Sequence, residues 1–260
     1  MISVVLPCLN EIRHGYLPQI IENLVAQAGP KELIAVISPS ADGTDKLLAQ
    51  VPQIRVIESA VTNRAQRLNV GIAASQGEVI LLHHPATLLP PQQALTLIEQ
   101  TFQDPQVMWS GFRHRFDLDH WLLRYTSWYS TAVRPQFGRI LYLDHCLAVR
   151  RSLLTEIGGV PEMDIFEDTA LSQRLGQYSA PVILPAAVVT SARRYRSRGV
   201  YQQALLNQAL KLMYHLDIDP QWMNRLYEQK VQINVTYPAQ KLPNEKSPAN
   251  CDGSTEGRLE

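Results

Sequence analysis

Short apolar runs alternate with helix-spaced apolar positions through the first half of the chain. Ile2-Ser-Val-Val-Leu6 is an apolar run ended by Pro7, the pattern of a buried strand. Leu17, Ile20, Ile21 and Leu24 then recur at helical spacing. The alternation continues with a strand over 33–37, a helix opened by Asp42-Gly43-Thr44, and a strand over 54–57. A helix over 63–74 follows, with Gly77 as its stop signal. A strand over 79–82 precedes a helix that Pro90 and Pro91 open and that carries Leu95, Ile98 and Phe102. This rhythm predicts an α/β fold around a parallel, doubly wound sheet. Ligands in such sheets bind beyond the carboxyl ends of the strands, which puts 7–11, 38–44 and 83–87 on one rim.

The second half is less regular. It predicts a long strand over 107–117, an aromatic-rich helix over 121–133, a strand over 146–149 and a short helix over 151–157. Short strands over 181–184 and 187–189 precede a long helix over 200–216 and a last one over 220–227. Beyond residue 238 there is no aromatic side chain and almost no apolar one. The chain therefore divides into a single domain over 1–230, ending in helices, and an expected disordered tail over 231–260.

Composition narrows the function classes. Lys+Arg and Asp+Glu are both 24, so net charge gives no argument for nucleic acid. Cys8, Cys146 and Cys251 are far apart and suggest a reducing compartment. Strand-like residues begin at Ile2, so no leader is expected, and no apolar run approaches the ~18 residues that cross a bilayer. The expected protein is cytoplasmic, or rests on the inner face of a membrane. Trp121, Leu122, Leu123, Tyr125, Trp128 and Tyr129, with the helix after Val200, suit core or dimer packing, or contact with lipid.

The chemistry concentrates at Glu167-Asp168, where a Gly-Gly-x-Pro loop enters a helix carrying Leu171 and Leu175. Asp168 sits three residues before Leu171, on the core-facing side of the first turn. Burial raises the pKa of such a carboxylate and the helix dipole lowers it. It suits a base that takes a proton from a hydroxyl, and equally an acidic helix cap. His83-His84 offers metal-ligand chemistry, but adjacent strand residues face opposite ways. Arg193, Arg194, Arg196 and Arg198 read as a basic loop before the long helix, suited to a diphosphate or simply to water. No GxGxxG follows the first strand, and GxxxxGK[ST], HExxH and paired CxxC are all absent.

Longer stretches carry a resemblance. SVVLPCLNE, ADGT at 41–44, NRAQRLNVG at 63–71, LAVRRSLLTEIGGVPE, FEDTALSQRL and TSARRYRSRGV together resemble the family 2 glycosyltransferases of GT-A fold. The likeness spans 2–227 and looks closest to a bacterial branch found beside radical-SAM and selenium-related proteins. It implies a mixed sheet flanked by helices, and inverting transfer from a nucleotide-sugar donor to a hydroxyl of a glycan, lipid or small molecule. Asp168 would be the base, and Glu167 would help hold the acceptor or orient that base. Pro7, Asn10, Glu11 and Arg64 would meet the nucleotide, and Asp144 would lie near the acceptor and the donor sugar. Two positions depart from the family pattern. Ile37 stands where an aspartate reads the nucleobase, and Ala86 where an aspartate holds Mg²⁺ or Mn²⁺. The resemblance then implies that Arg193 and Arg194, with His84, replace the metal at the leaving diphosphate. The lost aspartates equally suit a non-catalytic relative that binds a nucleotide, glycan or partner.

Overall fold

The computed structural model describes residues 1–12, 15–228 and 235. Eight strands form one sheet: β1 (Ile2–Cys8), β2 (Lys31–Ile37), β3 (Ile54–Glu58), β4 (Val79–Leu82), β5 (Thr87–Leu88), β6 (Trp109–Phe116), β7 (Leu147–Arg150) and β8 (Val182–Thr190). Their order is β3-β2-β1-β4-β7-β6-β8-β5. The first four pair in parallel, as the alternating pattern requires. β7 runs antiparallel to both β4 and β6, and β5 antiparallel to β8. The sheet is therefore mixed, not parallel throughout: β6 and β8 still pair in parallel, but β7, reached from β6 through residues 117–146, enters antiparallel between β4 and β6.

Helices cover both faces. Val4 and Leu6 of β1 meet α1 (Leu17–Val25) and α4 (Ala94–Thr101) on one side, with α2 (Thr44–Ala49) at the edge. Val5 faces the other way, onto α3 (Arg64–Ala74), α7 (Arg151–Glu156) and α8 (Glu167–Leu175). This alternation is the period-two rule acting on a strand buried on both faces. The second half supplies α5 (Trp121–Trp128), α6 (Arg134–Gly138), α9 (Arg193–Arg198), α10 (Val200–His215) and α11 (Pro220–Tyr227).

Several local expectations change. β1 continues through Pro7 to Cys8, because its pairing with β4 stops at Val5 and leaves the proline paired on one side only. Gly77 does not cap α3, which ends at an extended Ser75. A side chain at Gly77 would meet the Ser3 backbone nitrogen at 2.7 Å, so the glycine allows the chain to pass close against β1. The two short strands expected near 181–189 are one strand, β8, whose register against β6 slips between Phe112 and Arg113. The expected helix over 121–133 runs on to Gly138 through a π turn, Tyr129–Val133. Pro135 follows the π turn directly, and the widened turn accommodates a residue that has no N–H to give to the turn before it. The arginine-rich segment is a short helix, α9, not a loop.

Trp121, Tyr125, Trp128 and Tyr129 are exposed, as are Tyr201, Leu205 and Leu212 on α10 and Leu216 just after it. Core packing therefore does not account for them; Leu123 and Leu210 are the buried members. No helix among the described residues is long and apolar enough to cross a membrane. The expected tail lies outside the described residues except for Val235, which is buried and bridges Asn63.

Candidate active site

A cavity of about 230 Å³ opens where α3, α8, α9 and α10 meet the ends of β4, β6 and β8. Asp168 reaches it from the first turn of α8. Phe166, the residue before that helix, holds a left-handed backbone at φ 65°, uncommon for a bulky residue. Its ring packs on Tyr214 at 4.9 Å, which holds the turn in place. The turn sends the two carboxylates apart. Glu167 goes inward, 1% exposed, and pairs with the Arg64 guanidinium through a short hydrogen bond. Asp168 faces the cavity. So Glu167, not Asp168, is the acid on the core side.

Asp168 is held by backbone donors. The Leu143 N–H reaches Oδ2 at 3.2 Å and the Thr169 N–H reaches Oδ1 at 2.7 Å. Burial, and then the Glu167 charge, push its carboxyl up to about 6, against the pull of Arg64. Such a group is still ionised at neutral pH and is more basic than an exposed carboxylate.

Asp144 lies on a 3-10 turn, Leu143–His145, across the cavity. His114 Nε2 stands 3.4 Å from one oxygen and His145 Nε2 3.9 Å from the other. His145 donates its Nδ1–H to the Phe112 carbonyl at 2.8 Å, and burial pulls its pKa down to about 4. Its Nε2 is therefore an unprotonated acceptor beside a carboxylate. These two histidines were not singled out in the sequence. The signal was there: Phe112, His114 and Phe116 alternate along β6, and His145 follows Asp144 directly.

His83 and His84 separate as alternation requires. His83 is fully buried, and burial alone pulls its pKa down to about 3. His84 lines the cavity. Its Nδ1 accepts the Ala86 N–H at 3.3 Å and sits 3.0 Å from Thr87 Oγ1. That fixes the remaining proton on Nε2, so His84 is a neutral donor and not a metal ligand through that atom. Ala86 has no ligating side-chain atom, and no group of three or more His, Cys, Asp or Glu among the described residues suits a metal ion. The residues at the position that holds Mg²⁺ or Mn²⁺ in the family pattern do not fit one.

The four arginines of α9 part company. Arg193 and Arg194 line the cavity, with Arg193 Nη1 3.6 Å from Glu11 and Arg194 Nη2 3.3 Å from Glu228. Arg196 turns away to Asp117, and Arg198 to the Tyr227 carbonyl. Pro7, Asn10 and Glu11 are not on the cavity wall. Asn10, at φ 52°, accepts the Ala41 N–H at 2.8 Å, and the Glu11 N–H donates to Thr44 Oγ1 at 2.9 Å. They tie the first rim loop to the second. Ile37 is a core residue at the end of β2.

The sequence profile of glycosyl transferase family 2 matches residues 3–158. The chain belongs to that family. Among curated proteins none matches it significantly. Solved structures share the fold at low identity. A mannosyltransferase from Pyrobaculum calidifontis, in complex with GDP-Man and Mn²⁺, gives a TM-score of 0.62 at 19% identity over 82% of this chain and 64% of that one. S. aureus TarS 1-349 in complex with UDP-GlcNAc gives 0.60 at 13% identity over 88% and 70%. Glucosyl-3-phosphoglycerate synthase from Mycobacterium tuberculosis gives 0.53 at 20% identity over 74% and 70%. The family 2 chain thus spans 64% of the mannosyltransferase and 42% of a longer TarS structure.

Proposed function

We propose that this family 2 chain is an inverting glycosyltransferase, transferring a sugar from a nucleotide-sugar donor to a hydroxyl without a metal ion. Asp168 carries the reading: a cavity-facing carboxylate, held by two backbone N–H groups and made more basic by burial. As the acceptor oxygen bonds to the anomeric carbon, its proton passes to Asp168. The bond from that carbon to the diphosphate breaks on the opposite face, and its electron pair leaves with the nucleoside diphosphate. The anomeric configuration inverts. Arg193, Arg194 and the Nε2–H of His84 line the same cavity and supply donors for the departing diphosphate. Glu167 positions Asp168 indirectly: its ion pair with Arg64 ties down the first turn of α8, which carries the base.

The deciding experiment is donor turnover in excess EDTA. Steady transfer or donor hydrolysis there supports the reading. Loss of turnover that Mn²⁺ restores would overturn the metal-free part of it. Ala86 and Ile37 favour a second reading, a nucleotide or glycan binder without turnover; nucleotide-sugar binding with no hydrolysis under any condition would select it.

A further inference from the structure

Two more cations face the cavity, and the transfer chemistry above does not use them. Arg134 and Lys211 converge on the ring of Tyr142. The Arg134 guanidinium carbon stands 4.0 Å from the ring centroid, and the Lys211 ammonium 5.9 Å. Both line the cavity that holds Asp168. Among the described residues neither has a carboxylate within 4.0 Å, whereas Arg64, Arg193 and Arg194 each do. Nη1 of Arg134 is buried and has no hydrogen-bond partner.

Such an arrangement is unfavourable as it stands. A tyrosine face offsets only part of a cation's lost hydration, so holding two cations there carries a net cost. Burial, and then the charge of Arg134, pull the Lys211 ammonium down to about 8. Asp144 draws it the other way, but from beyond ion-pair range. The backbone is shaped locally as well. The π turn Tyr129–Val133 runs directly into Arg134, and π segments inside α-helices are frequent at functional sites.

We infer that Arg134 and Lys211 seat an anionic group, a phosphate or a carboxylate, carried by the acceptor molecule whose hydroxyl meets Asp168. A planar guanidinium fork beside a compact ammonium suits either anion. Tyr142 links the seat to the base: it lies under both cations, and the Asp168 charge is among those that reach its hydroxyl. The role of the hydroxyl rests on the sugar-transfer reading, and the seat itself does not. The donor diphosphate is a second source of the same chemistry, with its own cations on α9.

Isothermal titration of inorganic phosphate into the full-length protein tests this, with and without saturating UDP or GDP. Phosphate binds the free protein and binds it as well with nucleotide present. Arg134→Gln and Lys211→Met each weaken phosphate about tenfold or more, the scale of one charge-assisted hydrogen bond. Lys211→Arg restores it, and cooperative melting at or above the wild-type temperature shows that the variants fold. Displacement of phosphate by UDP or GDP would assign the pair to the donor and overturn the inference. Equal binding by wild type and variants would overturn it too, as an adventitious ion only. Repeating the titration with malonate decides between the anions: the tighter of the two names the acceptor's group, and binding of neither ends the idea. Failure of UDP and GDP to bind counts against sugar transfer alone, since variant-sensitive phosphate binding still supports the seat.

Discussion

Two walls of one cavity treat positive charge in opposite ways. On the wall built from α3 and α9, Arg64, Arg193 and Arg194 each stand against a carboxylate, two of those carboxylates being Glu167 and Glu11 at 1% exposure. On the wall built from α6 and α10, Arg134 and Lys211 share a tyrosine ring and have no such partner. A paired wall is preorganised: its guanidinium groups hold their positions before any ligand arrives. An unpaired wall stores unfavourable charge that an anion relieves on binding. The difference separates a surface already set for chemistry from one that waits for its ligand.

Breaking the paired wall has the largest expected effect. Glu167→Gln leaves the Arg64 charge buried without its counter-charge, and removing one member of a buried pair costs about 3–5 kcal/mol. Chemical denaturation of the variant checks this. A midpoint equal to that of wild type would mean the pair is not a fixed part of the wall.

Asp168 lies between the walls and comes next. Asp168→Asn lowers turnover by ~10² or more, as loss of a general base does. Wild-type turnover falls as pH drops through about 6, where the carboxyl takes up a proton. The stability effect has the opposite sign. A raised pKa means the folded state binds more protons than the unfolded one between 3.8 and about 6, so stability falls as pH rises through that window. Asp168→Asn removes this term, and its melting temperature at pH 8 exceeds that of wild type. Unchanged turnover, or an unchanged melting temperature, would remove Asp168 from the role given to it.

The two walls were not equally legible in the sequence. The sheet half of the molecule follows from periodicity, because β1, β2 and β4 are buried on both faces and their apolar runs have no other use. Asp168, Arg193 and Arg194 were recoverable because they sit in motif-like strings. Arg134 and Lys211 were not. They are 77 residues apart, on helices whose meeting depends on the π turn and on Pro135 being absorbed without a break. No local pattern encodes that a cation lacks a partner. His114 was legible only in part, since strand alternation showed that it points inward but not that Asp144 stands opposite it.

The smallest effect sharpens the unpaired wall. Lys211 has a folded-state pKa lowered to about 8 from 10.5, so the unfolded chain binds more protons across that interval. Stability from this group therefore rises with pH through the window, and at pH 7 the buried ammonium is a net cost. Lys211→Met keeps the length of the side chain and removes the charge, so the variant melts above wild type at pH 7. The gap closes as the pH approaches 10, where the wild-type amine is neutral as well. Phosphate closes it from the other direction, by raising the wild-type melting temperature alone. A gap that ignores both pH and phosphate would mean that Lys211 is offset by solvent in the free protein, and that the two walls differ in packing and not in charge.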